Sequence, residues 1–331
     1  MNRSTTAKWT LLAAGLLALI ILTGPAFGQT VFHLRAEATT ITMPDGAQIP
    51  MWGFGLDGGP VVVPGPTLTV PYDATTVTIL LTNNLPGSAT VSIMIPGQAM
   101  PTDGVSTTPQ VVRNPNGRIR AFTHETAPGT TGTYVWKSLN AGTYLYQSGS
   151  HPNVQVPMGL SGALKKDAAP GEAYAGKAYQ SELVLLYSEV DPALNAAVTN
   201  GTYGSTSYPS TIKYLAKYFL INGKPFAGTP APAATVNAGQ RLLLRLLNAG
   251  LEQHTPTLLG LYANIIAEDG HPYAREKEQY SIMLPAGKTM DVIVTPSAVG
   301  TYALYDRSLS LTNGPAPNGG MLTYLAVQSV P

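Results

Sequence analysis

The sequence predicts an all-β protein built from two similar domains. Apolar and polar residues alternate over short runs such as 76–81 and 290–294, which is typical of strands that bury one face. Glycine and proline, with 34 and 28 copies, close many of these runs in turns. The sequence Gly-Thr-Tyr at 142–144 recurs at 300–302, which indicates a duplicated domain. Short strands with such turns indicate a sandwich or a barrel.

Residues 1–28 have the composition of a secretory signal peptide. Arg3 and Lys8 are followed by an apolar run over 9–22 and by the small-residue site Ala26-Phe27-Gly28. An uncleaved anchor is the alternative, but the apolar run is shorter than the ~20 residues of a membrane span. We therefore expect cleavage after Gly28 and export to the periplasm or the extracellular space. No later run is long enough to span a membrane, so no membrane association is expected after cleavage.

Charge and cysteine content exclude several function classes. Without residues 1–28, 17 basic and 18 acidic side chains remain, and no basic stripe is present to hold a phosphate backbone. Nucleic acid is therefore not an expected partner. The chain has no cysteine, which excludes disulfides, thiolate nucleophiles and cysteine-bound metals.

The alternating pattern lapses in one stretch, 165–177, which is rich in alanine, glycine and lysine. This stretch is interpreted as a linker. The predicted organisation is a signal peptide at 1–28, a first domain at 29–164 and a second domain at 178–331. Each domain has the length expected for one β-sandwich.

Motifs in both halves resemble the multicopper oxidase family, whose domains are cupredoxin sandwiches. The matching segments are 64–68, 81–86, 141–146 and 158–164 in the first half and 219–224, 245–250, 265–270 and 285–292 in the second. The resemblance implies two tandem Greek-key sandwiches of cupredoxin type. The second half resembles the middle domain of three-domain members, which carries no copper.

The resemblance also implies where copper ligands should lie. Family members carry two His-x-His pairs in the first domain, and residues i and i+2 of a strand point to one face. Met94 and Pro96 stand at the positions of the first pair, and Gln147 and Gly149 stand at those of the second. A blue-copper site also needs a thiolate, which this chain lacks. Copper is therefore not expected as a cofactor of the family's kind.

One alternative metal site involves His151 and Met158. An imidazole and a thioether suit a soft Cu(I) ion. The competing interpretation is that His151 makes hydrogen bonds within a Gly/Ser/Pro turn. His254 has no neighbouring ligand and is interpreted as a loop histidine.

Other charged residues carry no evident chemistry. Arg241 and Arg245 are four residues apart on one predicted strand, which suggests a solvated face or an ion pair at a sheet edge. Asp269 and Asp291 have no partner that would make an acid–base pair.

The sequence therefore predicts a non-catalytic exported protein that acts through surface contacts, as a binding or assembly module. Its partner would be another protein or a second copy, contacted through sheet edges or through Tyr203, Tyr208, Tyr214 and Tyr218. Ordinary strand packing of these tyrosines is an equal alternative. The rival function is a copper-binding oxidoreductase component that uses His151 and methionine, or that shares an active site with a partner chain.

Overall fold

The computed structural model describes residues 28–226, 228, 231–313 and 319–330. All but the last residue of the predicted signal peptide lie outside the described part. The described chain is mainly β, which confirms the predicted fold class. No helix in these residues is long and apolar enough to cross a membrane.

The first half contains nine strands and one short helix. They are β1 (Gln29–Thr42), β2 (Gln48–Leu56), β3 (Gly65–Val70), β4 (Thr76–Asn84), β5 (Val112–Arg113), β6 (Ile119–Ala121), β7 (Thr131–Lys137), β8 (Gly142–Gln147), α1 (Pro152–Gln155) and β9 (Ser161–Lys166).

Within its described residues, the second half contains twelve strands, one helix and one 3₁₀ turn. They are β10 (Glu172–Tyr174), β11 (Lys177–Ala178), β12 (Ser181–Val190), α2 (Pro192–Thr199), the 3₁₀ turn (Thr211–Lys213), β13 (Tyr218–Ile221), β14 (Ala234–Asn237), β15 (Leu242–Asn248), β16 (Pro256–Leu258), β17 (Ala263–Glu268), β18 (His271–Gln279), β19 (Thr289–Val294), β20 (Gly300–Asp306) and β21 (Leu322–Gln328).

The first sandwich packs a four-stranded sheet, in the order β2-β1-β4-β7, against a three-stranded sheet, in the order β3-β9-β8. Side chains from both sheets form one apolar cluster that includes Leu34, Ile79, Tyr134 and Leu164. Burial of this cluster is the main stabilising contribution to the domain.

The second sandwich packs a six-stranded sheet, in the order β13-β12-β15-β19-β17-β18, against a four-stranded sheet, in the order β14-β21-β20-β16. Successive side chains of β15 point to opposite faces, because a strand has a period of two. Leu244 and Leu246 enter the core of this sandwich, whereas Leu243 and Leu247 pack on the opposite face. The six-stranded sheet is therefore buried on both faces at β15.

Strands β8 and β9 of the first sandwich and the β10–β11 hairpin cover the face of the six-stranded sheet that points away from its own core. Leu145 and Ala163 of the first sandwich pack against Leu186 and Leu247 of the six-stranded sheet. The hairpin of β10 and β11, which contributes Tyr174, covers the neighbouring part. This hairpin and the end of β9 lie near or within the predicted linker, 165–177. The domain limits inferred from the sequence stay a prediction.

Candidate functional site

The two segments in which the family carries histidine pairs lie side by side in the first sandwich. Met94 and Gln147 exchange two backbone hydrogen bonds, of 2.9 and 3.0 Å. Beyond Gln147 the chain is held by a second neighbour, because Phe122 N donates to Gly149 O and His151 N donates to Arg120 O. Backbone hydrogen bonds therefore fix the course of the chain from Gln147 to His151.

Buried hydroxyl and amide groups fill the space beside these segments. Ser148 Oγ lies 2.6 Å from Gln155 Oε1, and Ser150 Oγ donates to Ser92 Oγ over 3.0 Å. Gln155 Nε2 donates to Thr90 O. The three serines and Gln155 are buried. Their hydrogen bonds offset the cost of removing polar groups from water.

The packing at Gly149 tests whether a copper ligand fits there. A Cβ atom at this position would lie 3.0 Å from Ser92 Oγ, 3.4 Å from Thr123 Cγ2 and 3.5 Å from Met94 Sδ. A single methyl group would already press on Ser92, and an imidazole is far larger. An imidazole at position 149 would therefore require Ser92 to shift and the packed side chains of Thr123 or Met94 to move.

His151 and Met158 occupy contrasting positions. His151 is exposed and precedes α1 with a left-handed backbone, at a φ of 40°. Met158 is fully buried, and its backbone carbonyl accepts a hydrogen bond from Trp52 N. The described residues contain no group of three or more His, Cys, Asp or Glu side chains arranged to hold a metal ion. A site shared by His151 and Met158 stays a proposal.

His254 lies in the connection between β15 and β16, as expected of a loop histidine, but it is not alone, because its side chain is buried in the interior of the second sandwich beside two carboxylates. Its Nε2 atom is 3.1 Å from Glu189 Oε2, and its Nδ1 atom is 3.1 Å from Asp306 Oδ2. All three side chains are fully buried. Backbone groups hold the carboxylates, since Glu252 N donates to Glu189 and Thr255 N donates to Asp306.

The two carboxylates hold His254 in its charged form. Burial opposes the charge, but the hydrogen bonds to Asp306 and Glu189 outweigh it and raise the pKa of His254 to about 9. An imidazolium donates from both nitrogens and has no lone pair for a metal ion. This cluster is therefore an interior ion-pair network that supports the turn over 250–255.

Arg245 corrects a second expectation. It lies on the central strand β15, is fully buried, and faces the first sandwich rather than solvent or a sheet edge. Its Nε atom is 2.9 Å from Glu182 Oε2, and its Nη2 atom is 2.5 Å from Asp167 Oδ1. Its Nη1 atom donates to Thr143 Oγ1 of the first sandwich over 3.0 Å.

Asp291 completes this network from the neighbouring strand. It pairs in register with Arg245 and accepts hydrogen bonds from Thr143 Oγ1, at 2.6 Å, and Tyr174 OH, at 2.5 Å. Burial raises the pKa of Asp291, whereas the Arg245 charge and the two hydrogen bonds oppose this rise. One weak signal in the sequence points to the pair: each charge interrupts an apolar strand, Leu-Leu-Leu-Arg-Leu-Leu in β15 and Met-Asp-Val-Ile-Val in β19.

The tyrosines considered as a contact surface are largely packed inside. Tyr208 and Tyr218 are buried and donate hydrogen bonds to Asp191 and Asp45. Tyr203 and Tyr214 are half-buried and pack on the same apolar cluster as Tyr208. Packing therefore accounts for most of their surface.

Comparisons with known proteins support the resemblance seen in the motifs. The family model described as multicopper oxidase matches residues 187–329. A blue copper oxidase from Nitrosomonas europaea is similar in structure, with a TM-score of 0.70, 24% identity, and coverage of 90% of this chain and 86% of that chain. No curated protein matches the sequence at a significant level.

Two further solved structures have the same architecture. The multicopper oxidase mgLAC has a TM-score of 0.70 and 23% identity, over 92% of this chain and 87% of that chain. The copper nitrite reductase from Nitrosomonas europaea has a TM-score of 0.65 and 19% identity, over 91% of this chain and 94% of that chain. At such identities the likeness establishes the fold. The chain therefore has the tandem cupredoxin sandwiches found in multicopper oxidases, and it resembles that family in sequence.

Proposed function

We propose that this protein is an exported cupredoxin-type binding or assembly module without oxidase chemistry. The observation that carries the proposal is the packing at Gly149, where a Cβ atom would lie 3.0 Å from Ser92 Oγ and within 3.5 Å of Thr123 and Met94, so that an imidazole would have to displace packed side chains. Met94 and Gln147 are paired through their backbones at the place where two ligand pairs would converge. A cluster of copper ions needs several imidazoles on one face, and this region supplies a closed hydrogen-bonded interior instead.

Export rests on the composition of residues 1–28. Strand β1 starts at Gln29, the residue that follows the proposed cleavage position. The carbonyl of Gly28 accepts hydrogen bonds from Thr75 N and Thr76 N, so cleavage would remove contacts at the edge of the domain and leave the β1 ladder intact.

A second function is favoured by the position of His151. Its imidazole is exposed, and no hydrogen bond of this ring is found within the described residues. A free imidazole at the surface is available to a single copper ion, with Met158 or a partner chain as the source of further ligands. This arrangement would make the protein a copper-handling component rather than an oxidase.

Copper titration of the purified protein separates the two functions. Absorbance, paramagnetic resonance and oxygen uptake are measured on the wild type, on His151→Ala and on His33→Ala, which removes an exposed histidine of β1 as a control. The proposed function predicts no intense visible band, no coupled copper signal and no oxygen consumption. A single weakly bound ion that His151→Ala alone abolishes would support the second function. Copper-dependent oxygen consumption by the isolated chain would overturn both.

A further inference from the structure

A cleft of about 400 Å³ lies in the second sandwich, away from the region of Met94 and Gln147. Its walls include Tyr262, Tyr280, Glu278, Gln279 and Met283. The volume is within the range of small-molecule sites in proteins. Neither the copper argument nor the buried ion-pair networks use any of these residues.

Backbone pairing fixes the two tyrosines. Ala263 and Gln279 are paired at one end of the β17–β18 hairpin, so Tyr262 and Tyr280 follow as neighbours just beyond it. Tyr280 O accepts a hydrogen bond from Leu258 N. The two rings are 5.8 Å apart with an interplanar angle of 77°. The aromatic surface is therefore held on rigid elements, which lowers the entropy lost when a ligand binds.

The side chains around the cleft are substantially exposed to solvent. Tyr262 is 61% exposed, Tyr280 41% and Met283 62%. All 17 tyrosines lie in the described part of the chain, and only three of them are exposed. Two of these three share this cleft. Aromatic rings left exposed together in a concave site favour a ligand that stacks on them.

The charged groups around the rings select the ligand class. Arg307 stacks over Tyr280 at 5.6 Å from the ring centre and donates to Tyr280 OH over 3.2 Å. Glu278 lies on the cleft wall, and neither charge forms a salt bridge within the described part of the chain. Arg307 disfavours an organic cation, and Glu278 disfavours an anion. One carboxylate that accepts hydrogen bonds and one guanidinium that donates them instead suit a neutral ligand with many hydroxyl groups.

We propose that this cleft binds a neutral saccharide. A pyranose ring presents C–H groups on its face, which are attracted to the negative face of an aromatic ring. Its hydroxyl groups can donate to Glu278 and accept from Arg307, while the amide of Gln279 can do both. This proposal rests on the proposed role as an exported binding module and names its ligand class. It is tested on metal-free protein, so its failure is distinguishable from that of the copper argument.

The test is native affinity electrophoresis in gels that contain starch, hydroxyethylcellulose, dextran or galactomannan, with a plain gel as reference. The proteins are the wild type, Tyr262→Ala, Tyr262→Phe and Tyr72→Ala, which removes an exposed tyrosine of the other domain. We expect at least one polysaccharide to retard the wild type. Tyr262→Ala should weaken binding roughly tenfold, whereas Tyr262→Phe keeps the ring and should bind like the wild type. Tyr72→Ala should not differ from the wild type.

The free disaccharide of the retarding polymer is then added as a competitor. Release of the protein indicates recognition of a short unit, and continued retardation indicates recognition of an extended chain. Either result supports the proposal. Thermal unfolding checks that each variant is folded. The proposal is overturned if none of the four polysaccharides retards the wild type. It is also overturned if Tyr262→Ala is retarded as strongly as the wild type.

Discussion

Arg245 and Asp291 occupy paired positions on β15 and β19, and a hydroxyl group from the other sandwich lies between them. Thr143 Oγ1 is 3.0 Å from the Arg245 guanidinium and 2.6 Å from the Asp291 carboxylate. Thr143 O also accepts a hydrogen bond from Thr289 Oγ1, at 2.8 Å. The two sandwiches therefore meet through a buried polar network as well as through apolar contacts.

Removal of Arg245 should destabilise the protein strongly. Arg245→Ala leaves Asp291 buried without its nearby positive charge, which typically costs about 3–5 kcal/mol. The measurement is the free energy of unfolding from urea denaturation followed by circular dichroism. Arg241→Ala is the control, because Arg241 lies just outside β15 at a more exposed position and should cost less than about 1 kcal/mol. Equal losses for the two variants would contradict the assignment of Arg245 as an interior charge.

Deprotonation of His254 should make the protein less stable in mildly alkaline solution. The pKa of His254 in the folded protein is raised to about 9, above the ordinary value near 6.5 that it has in the unfolded chain. Its contribution to the free energy of unfolding is therefore complete below the unfolded-state pKa. That contribution declines as the pH rises towards 9 and is lost above it. The shift corresponds to about 3 kcal/mol.

The measurement is the free energy of unfolding between pH 6 and pH 10. His254→Gln should be less stable than the wild type at pH 6, because Glu189 and Asp306 lose their positive partner, and should lack the alkaline decline. His33→Gln removes an exposed histidine and should follow the wild-type curve. An unchanged alkaline decline in His254→Gln would assign the titration to another group.

Period-two patterns and turn residues carried the prediction of the fold, since they report directly on which face of a strand is buried. The motifs around Met94 and Gln147 also allowed these residues to be assigned, from the sequence, to the two segments that the structure pairs. The burial of His254 and Arg245 was not. Their partners Glu189, Asp306, Asp167 and Thr143 are distant in sequence, and only the packed structure shows that these charges are compensated. A lone charge in an apolar strand is a weak signal until its partner is located.

The mature protein should begin at Gln29. Cleavage after Gly28 removes the charged and apolar segment and leaves β1 complete. Mass spectrometry of the intact protein recovered from its native host gives the mass of the mature chain, and this mass identifies its first residue. Replacement of Ala26 by a bulky residue, as in Ala26→Trp, should block cleavage, whereas Thr30→Ser beyond the site should not. An intact Met1 in the wild-type protein would indicate an anchor instead of a signal peptide.

Introducing a single histidine at Gly149 should destabilise the first sandwich. The Cβ atom alone would contact Ser92 Oγ at 3.0 Å, and the ring must then displace Thr123 or Met94. Overpacking of this kind costs about 3 kcal/mol when the surroundings cannot relax. The measurement is urea unfolding of Gly149→His beside Gln147→His, because Gln147 is partly exposed two residues earlier and should accept an imidazole at less than about 1 kcal/mol.

Copper binding to the double variant, Gly149→His with Gln147→His, completes this test. If Gly149→His is as stable as Gln147→His, the interior accepts an imidazole and the packing argument against a copper cluster fails. If Gly149→His is destabilised, the double variant with both histidines should bind no coupled copper ions, because Met94 and the serines around Ser92 still fill the space that the ions would need. The loss of stability then measures how firmly this hydrogen-bonded interior occupies the place of the ligands.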